Sequence, residues 1–137
     1  MQNSNKEWIG AAAIIILRGK LLMVRGKGRN SWSVPSGGIE HSESSEQACI
    51  REVWEETGYK VKIIRDLHTK EAVIDAFHVT TDYFLCEIIA GVITYHDPDK
   101  IIVEIAWKSV VELEKLPLDY PEDKDILLTL LKTSMHN

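Results

Sequence analysis

The sequence predicts an α/β domain, a mixed β-sheet with helices on both faces. Three observations carry that expectation. Strand-like segments come first, one strong helix interrupts them, more strands follow, and a helix closes the chain. The 137 residues suit one domain with one sizeable core, so a single domain over 1–137 is expected. Apolar residues make up 45% and charged residues 27%, the balance of a globular chain rather than a disordered one.

Each element has a local reason. "MQNSNK" is polar and reads as a loose terminus. Trp8 to Leu17 is rich in Ile and Ala, and Arg18-Gly19-Lys20 separates it from "LLMV", so a hairpin is expected. "SWSV" reads as a short strand that Pro35 stops, and "PSGGIEHSE" as an irregular loop, because Pro35 fixes one torsion while Gly37 and Gly38 open others. Ser44 to Thr57 is the best helix. Ser44 is its N-cap, Gln47 three residues on completes a capping box, Glu46 suits the positive end of the macrodipole, and Gly58 stops it. "YKVKIIRDL" and His78 to Ile89 read as strands, the second central. "YHDPDK" is a turn or loop, Ile101 to Val110 holds a strand, Val111 to Leu116 a short helical turn, and Glu122 to Lys132 a two-faced helix.

Composition narrows the function. A net charge of −5 argues against a protein that coats a nucleic acid polymer, which needs a basic face. An anionic small molecule stays open, because a bound cation inverts local charge. "IGAAAIIIL" is too short to span a bilayer, and its small residues precede the bulky ones, the reverse of a cleavable signal. Cys49 and Cys86 lie in apolar segments with no CxxC or Cys/His cluster, so two buried free thiols and a cytoplasmic location are expected.

Within the strong helix, Glu52, Glu55 and Glu56 stand three and four residues apart. On a wheel of about 100° per residue they share an arc of roughly 100°, while Cys49, Ile50, Val53 and Trp54 form the apolar side. Like charges at that spacing cost about 0.2–0.5 kcal/mol per pair, so something must offset them. A solvated face balanced by pairs such as Arg51 with Glu55 is one answer. The other is a hard divalent cation, which takes carboxylate oxygens and keeps waters. Gly37 and Gly38 just upstream allow a close backbone approach, and Glu43 sits at the helix entrance.

Gly37, five residues, Glu43, seven residues, then Arg51-Glu52-Val53-Trp54-Glu55-Glu56-Thr57-Gly58-Tyr59 matches the Nudix box at every specified position. Seven fixed residues, each near the ~7% frequency of glycine, would coincide about once in 10⁸ start points. The chain therefore resembles the Nudix hydrolases along nearly its whole length, with order and hydrophobic pattern carrying the likeness outside the box. Ser36 and Ser42 stand where relatives often have glycine.

The resemblance implies an alpha/beta/alpha sandwich with a mixed sheet and a loop-helix-loop catalytic box. It implies a pyrophosphohydrolase that cleaves the diphosphate linkage of a nucleoside diphosphate derivative, using Mg2+, with Mn2+ as a substitute. Carried over residue by residue, Glu55, Glu56 and the Gly37 carbonyl look like metal ligands. Glu52 looks like a ligand or the general base, and Arg51 like the partner of Glu43 that holds the cage. Glu104 is the candidate for an acid from a later loop, ahead of Asp97 and Asp99. Arg25, Lys27 and Arg29 form the basic cluster that would hold substrate phosphates. The expected partner is a small nucleotide, with no membrane, and a homodimer is left open. A non-catalytic nucleotide sensor on the same fold is the alternative. Such sensors tend to lose box carboxylates and to carry a DNA-binding domain, whereas this chain keeps every box residue.

Overall fold

The first hairpin turns where the sequence places it. In a computed structural model that describes residues 6–95 and 101–135, strand β1 (Lys6–Leu17) meets β2 (Lys20–Gly26) with Leu17 opposite Lys20. Arg18 and Gly19 take φ of 53° and 77°. Positive φ at both central positions is the type I′ form, whose twist matches that of the flanking strands.

Strand β3 (Trp32–Ser33) pairs with β2. The next three residues correct an expectation: Ser36–Gly38 is not irregular but a short strand, β4, antiparallel to β1 with Gly10 opposite Gly38. The reason is the absence of side chains. A methyl group on Gly10 would overlap the Trp8 ring, and one on Gly38 would meet that ring at 3.4 Å. Two glycines let the backbones and the indole stack together.

Helix α1 (Ser45–Thr57) keeps its expected caps. The Ser44 hydroxyl accepts from the Gln47 amide at 3.1 Å, the Gln47 side chain accepts from the Ser44 amide at 2.9 Å, and Gly58 ends the helix at φ 87°. Ala48, Cys49, Val53 and Thr57 are buried, but Trp54 is 48% exposed, so it does not belong to the core side. The wheel sets Trp54 beyond Val53 on the arc turned away from the sheet.

Strand β5 (Tyr59–Ile74) runs well past "YKVKIIRDL", and β6 (Phe77–Gly91) returns along it. The Asp75–Ala76 turn takes φ of 50° and 69° without a glycine to announce it. Three register shifts in the pairing also break the alternation that would have shown the length of β5. Strand β7 (Ile102–Lys108), α2 (Val110–Lys115), a 3-10 turn (Pro121–Asp123) and α3 (Lys124–Ser134) complete the described chain. The closing helix thus begins two residues later than Glu122, after the turn that Pro121 opens. Asp97 and Asp99 lie outside the described residues.

The sheet runs β3-β2-β1-β6-β5, with β4 also on β1 and β7 also on β2. It is mixed: β1 and β6 are parallel over Lys6–Ile15, the other pairs antiparallel. β1 is buried on both faces, which accounts for its unbroken apolar run. Ala11, Ala13 and Ile15 pack under α1 with Val53, Phe84 and Cys86. Ala12 and Ile14 pack on the other side with Leu113, Leu127 and Leu131 of the last two helices. No helix among the described residues is long and apolar enough to cross a membrane.

Cys49 and Cys86 are free and buried, their sulfurs 3.6 Å apart. The Cys86 hydrogen bond and burial push the Cys49 thiol well above the ordinary range. Cys49 should therefore react with a soluble thiol reagent only as fast as the protein unfolds. Stoichiometric labelling under native conditions within minutes would contradict its position.

Candidate functional site

Arg51 answers the question raised by the clustered acids. It projects from α1 toward the β4–α1 loop and spends its donors on five hydrogen bonds. Nε and Nη2 grip both oxygens of Glu43 at 2.8 and 3.0 Å. Nη2 also donates to the Gly38 carbonyl at 2.9 Å, and Nη1 to Glu52 at 3.0 Å and Glu55 at 3.1 Å. Glu40 stands 3.7 Å from Nη1. One guanidinium thus ties loop to helix and offsets the repulsion among the acids around it.

The charges respond in kind. The hydrogen bonds from Arg51 hold the Glu43 carboxyl below the usual carboxylate range, and the Glu40 amide adds to this against the opposing effect of burial. Glu43 in turn raises the Arg51 pKa, with Glu52 contributing. The side chains of Arg51, Glu43 and Glu52 are 20%, 15% and 15% exposed, so these pairs are worth more than those of a solvated face.

Backbone shapes the rest of the cage. Gly37 stands opposite Ala11 in the β1–β4 ladder, and its carbonyl faces Gly10. A methyl group on Gly37 would overlap the Glu52 carboxylate, so the glycine lets strand and acid close together. The Ser36 amide donates to Glu56 at 3.2 Å. Ser42 takes φ 68° in the loop. That conformation costs a non-glycine residue about 1–2 kcal/mol. Ser42→Gly should therefore raise stability by about 0.5 kcal/mol, after the added freedom of the unfolded glycine is deducted, as a melting curve would show.

The oxygen donors of Glu52, Glu55 and Glu56 suit a hard divalent cation. Here they are turned on Arg51 and the Ser36 amide. Among the described residues, no three acidic, histidine or cysteine groups converge as a ready metal site. The donor chemistry fits; loading an ion would compete with the Arg51 bonds.

Three expected residues have partners outside the cage. Glu104 is not brought to the cage, because its carboxylate pairs with Arg25 at 2.9 Å. On the β2–β7 pair, Val24 and Ile105 face the core under α1, so the adjacent Arg25–Glu104 pair faces the other way. Arg25 also donates to the Arg29 carbonyl at 2.7 Å, and Arg29 pairs with Asp119 at 3.4 Å. Arg25 thus ties its loop to β7, while Arg29 and Lys27 both remain exposed.

An open cleft lies on the sheet face opposite α1 and reaches the cage through Ser36, which belongs to both. Trp8, Trp32 and Val34 give it apolar walls, and Lys70, Tyr83, Tyr120 and Asp123 give it polar groups. Trp32 is 7% exposed, and sequence reasoning singles out none of these aromatics. It missed Lys70 and Asp123, whose contact spans a separation of 53 residues that no local pattern reveals.

The NUDIX domain family model matches residues 8–130. The chain is 30% identical over 92 residues to Nudix hydrolase 6 of Arabidopsis thaliana, covering 66% of this chain and 32% of that protein. It is 43% identical over 54 residues to an RNA pyrophosphohydrolase of Haemophilus influenzae (strain PittEE), covering 39% of this chain and 28% of the relative. The chain thus spans about a third of the length of these relatives. Among solved structures, a NUDIX hydrolase from Nitrosomonas europaea superposes with a TM-score of 0.75 at 25% identity, over 96% of this chain and 89% of that one.

Proposed function

Because this chain belongs to the Nudix family, we propose that it is a divalent-metal-dependent pyrophosphohydrolase acting on a nucleoside diphosphate derivative. In this reading water attacks one phosphorus of the diphosphate, the bridging P–O bond breaks, and two phosphate-containing products leave. The observation that carries the proposal is the Arg51 hub, which gathers Glu43, Glu52 and Glu55 beside Gly37 and Gly38 and next to a cleft.

Glu55 and Glu56, with the Gly37 carbonyl, are the residues proposed to hold the ion, magnesium or manganese. When bound, the cation neutralises charge on the phosphate oxygens and lowers the pKa of the attacking water. Glu52, at the edge of the group, accepts the proton from that water or joins the ligands. Arg51 and Glu43 keep the acids in place and bind no substrate. Lys27 and Arg29, both exposed, are the basic residues that meet substrate phosphates, and the cleft takes the organic part of the substrate.

A panel of nucleoside triphosphates, nucleotide sugars, ADP-ribose and dinucleoside polyphosphates, assayed with and without magnesium, tests the reading. A 5′-triphosphorylated oligonucleotide belongs in it, given the name of the Haemophilus relative, although the net charge of −5 disfavours a polymer. Magnesium-dependent release of two phosphorylated products is expected, and their identity shows which P–O bond breaks. Binding of a nucleotide without turnover under any metal would instead support the sensor.

A further inference from the structure

Strand β4 is three residues long, yet both its ends give backbone groups to the cage. The Gly38 carbonyl accepts from Arg51 at 2.9 Å, and the Ser36 amide donates to Glu56 at 3.2 Å. Between them Gly37 lies against the Glu52 carboxylate, with no room for a methyl group. Among the described strands β4 pairs with β1 alone, through three residue pairs. So short a ladder opens easily unless something packs on it.

The Trp8 indole packs there, on the face of β4 turned away from α1. Along β1, Ala11 points to α1, while Trp8, Gly10 and Ala12 point to the other side. Gly10 and Gly38 stand opposite each other, and the indole lies over both. The far carbons of its six-membered ring cover Gly10, and the side carrying Nε1 covers Gly38. One wide, flat ring thus rests on the bare backbone of two strands. A methyl group on Gly10 would also crowd the Gly37 carbonyl, so the indole and that proposed ligand share one corner of backbone. The indole is 38% exposed and belongs to neither apolar cluster, so filling the core is not its task. Strand β4 is held between two side chains, Trp8 on one face and Glu52 on the other.

We propose that Trp8 is a positioning residue for the acidic cage: its indole presses β4 toward α1 and so sets the Gly37 carbonyl, Glu52 and the Arg51–Gly38 bond where a divalent cation needs them. This rests on the reading of the cage as a magnesium site. Trp8 touches neither the ion nor the reacting atoms in this role and acts through the β4 backbone. Leucine at position 8 leaves the two glycines largely uncovered, whereas phenylalanine keeps a flat ring over Gly10.

Magnesium affinity measured without any nucleotide separates this role from that of a cleft wall meeting substrate. Calorimetry and the magnesium-dependent rise in melting temperature are read for wild type, Trp8→Leu, Trp8→Phe and Ile74→Ala. Ile74 lines the same cleft from β5, with β6 and β1 between it and β4. Trp8→Leu should weaken magnesium binding by about tenfold, as loss of a support behind a metal ligand does. Trp8→Phe should restore most of that affinity, and Ile74→Ala should match wild type. The metal-free protein gives a second readout. The Ser36 and Ile39 amides, bonded to Glu56 and to the Ile9 carbonyl, should exchange with solvent about tenfold faster in Trp8→Leu, while the Leu113 amide in α2 keeps its rate. Wild-type magnesium affinity in Trp8→Leu would overturn the proposal, and so would an equal loss in Ile74→Ala. A lower melting temperature in Trp8→Leu with an unchanged magnesium-dependent rise is the signature of a mere tether and would overturn it too. If wild type itself binds no magnesium, the metal reading fails, and exchange decides this one: faster rates confined to Ser36 and Ile39 support Trp8 as the prop of the cage, and unchanged rates overturn it.

Discussion

Glu56→Gln should lose most of its turnover while folding as well as the wild type. The Ser36 amide donates to Glu56, and a glutamine carbonyl can still accept that bond. Without metal, removing one like charge from the helix should leave stability unchanged or raise it by a few tenths of a kcal/mol. Magnesium is where the variants part. An ion that binds only the folded protein stabilises it by roughly 2.7 kcal/mol at a hundredfold over its dissociation constant. Wild type should show such a rise, and Glu56→Gln much less of it. Glu52→Gln should separate the roles. If Glu52 serves mainly as the base, most of the metal stabilisation remains while the rate falls by about 10²–10⁴. Melting curves with and without magnesium, beside initial rates, read all of this. Equal magnesium stabilisation in wild type and Glu56→Gln would remove Glu56 from the ligand set and leave a charged helix face.

Arg51→Ala should lose both activity and stability. The arginine holds Glu43 with both carboxylate oxygens, reaches Glu52 and Glu55, and satisfies the Gly38 carbonyl. Removing it leaves these part-buried acids with no cation between them, and breaking such a pair from one side costs about 3–5 kcal/mol when fully buried. With these side chains 15–26% exposed, about 2–3 kcal/mol is the sounder expectation at neutral pH. The pH dependence has a definite sign. The folded protein holds the Glu43 pKa below its ordinary value of 4.5. That contribution is therefore present above about pH 4.5 and is lost as the pH falls through the lower folded value. In Arg51→Ala this acid loss should flatten, and mild acidification should recover stability by neutralising the stranded carboxylates. Urea midpoints of both proteins between neutral pH and pH 3 measure it. Wild-type activity and an unchanged midpoint in Arg51→Ala would reduce the arginine to surface decoration. Arg51→Lys should fall between the two, because an ammonium keeps the charge but lacks the planar fork.

By itself the sequence determined whatever rests on contacts between near neighbours. The α1 caps at Ser44, Gln47 and Gly58 follow from bonds spanning three or four residues. The first hairpin follows from Arg18-Gly19 between two apolar runs. The box was legible for the same reason, since Arg51, Glu52, Glu55 and Glu56 share a helix whose period fixes their common face.

Tertiary structure decided what depends on distant partners. Ser36–Gly38 became a strand only because Gly10, on another strand, leaves room for it. The reach of β5 stayed hidden because register shifts erase its alternation and its turn carries no glycine. Glu104 read as the candidate acid from a later loop, and sheet pairing sets it opposite Arg25, on the face turned from α1. The Lys70–Asp123–Tyr83 group joins two strands to the start of the last helix across 53 and 40 residues of chain. No periodicity records such a meeting, because strand order, not local propensity, brings these side chains to one cleft.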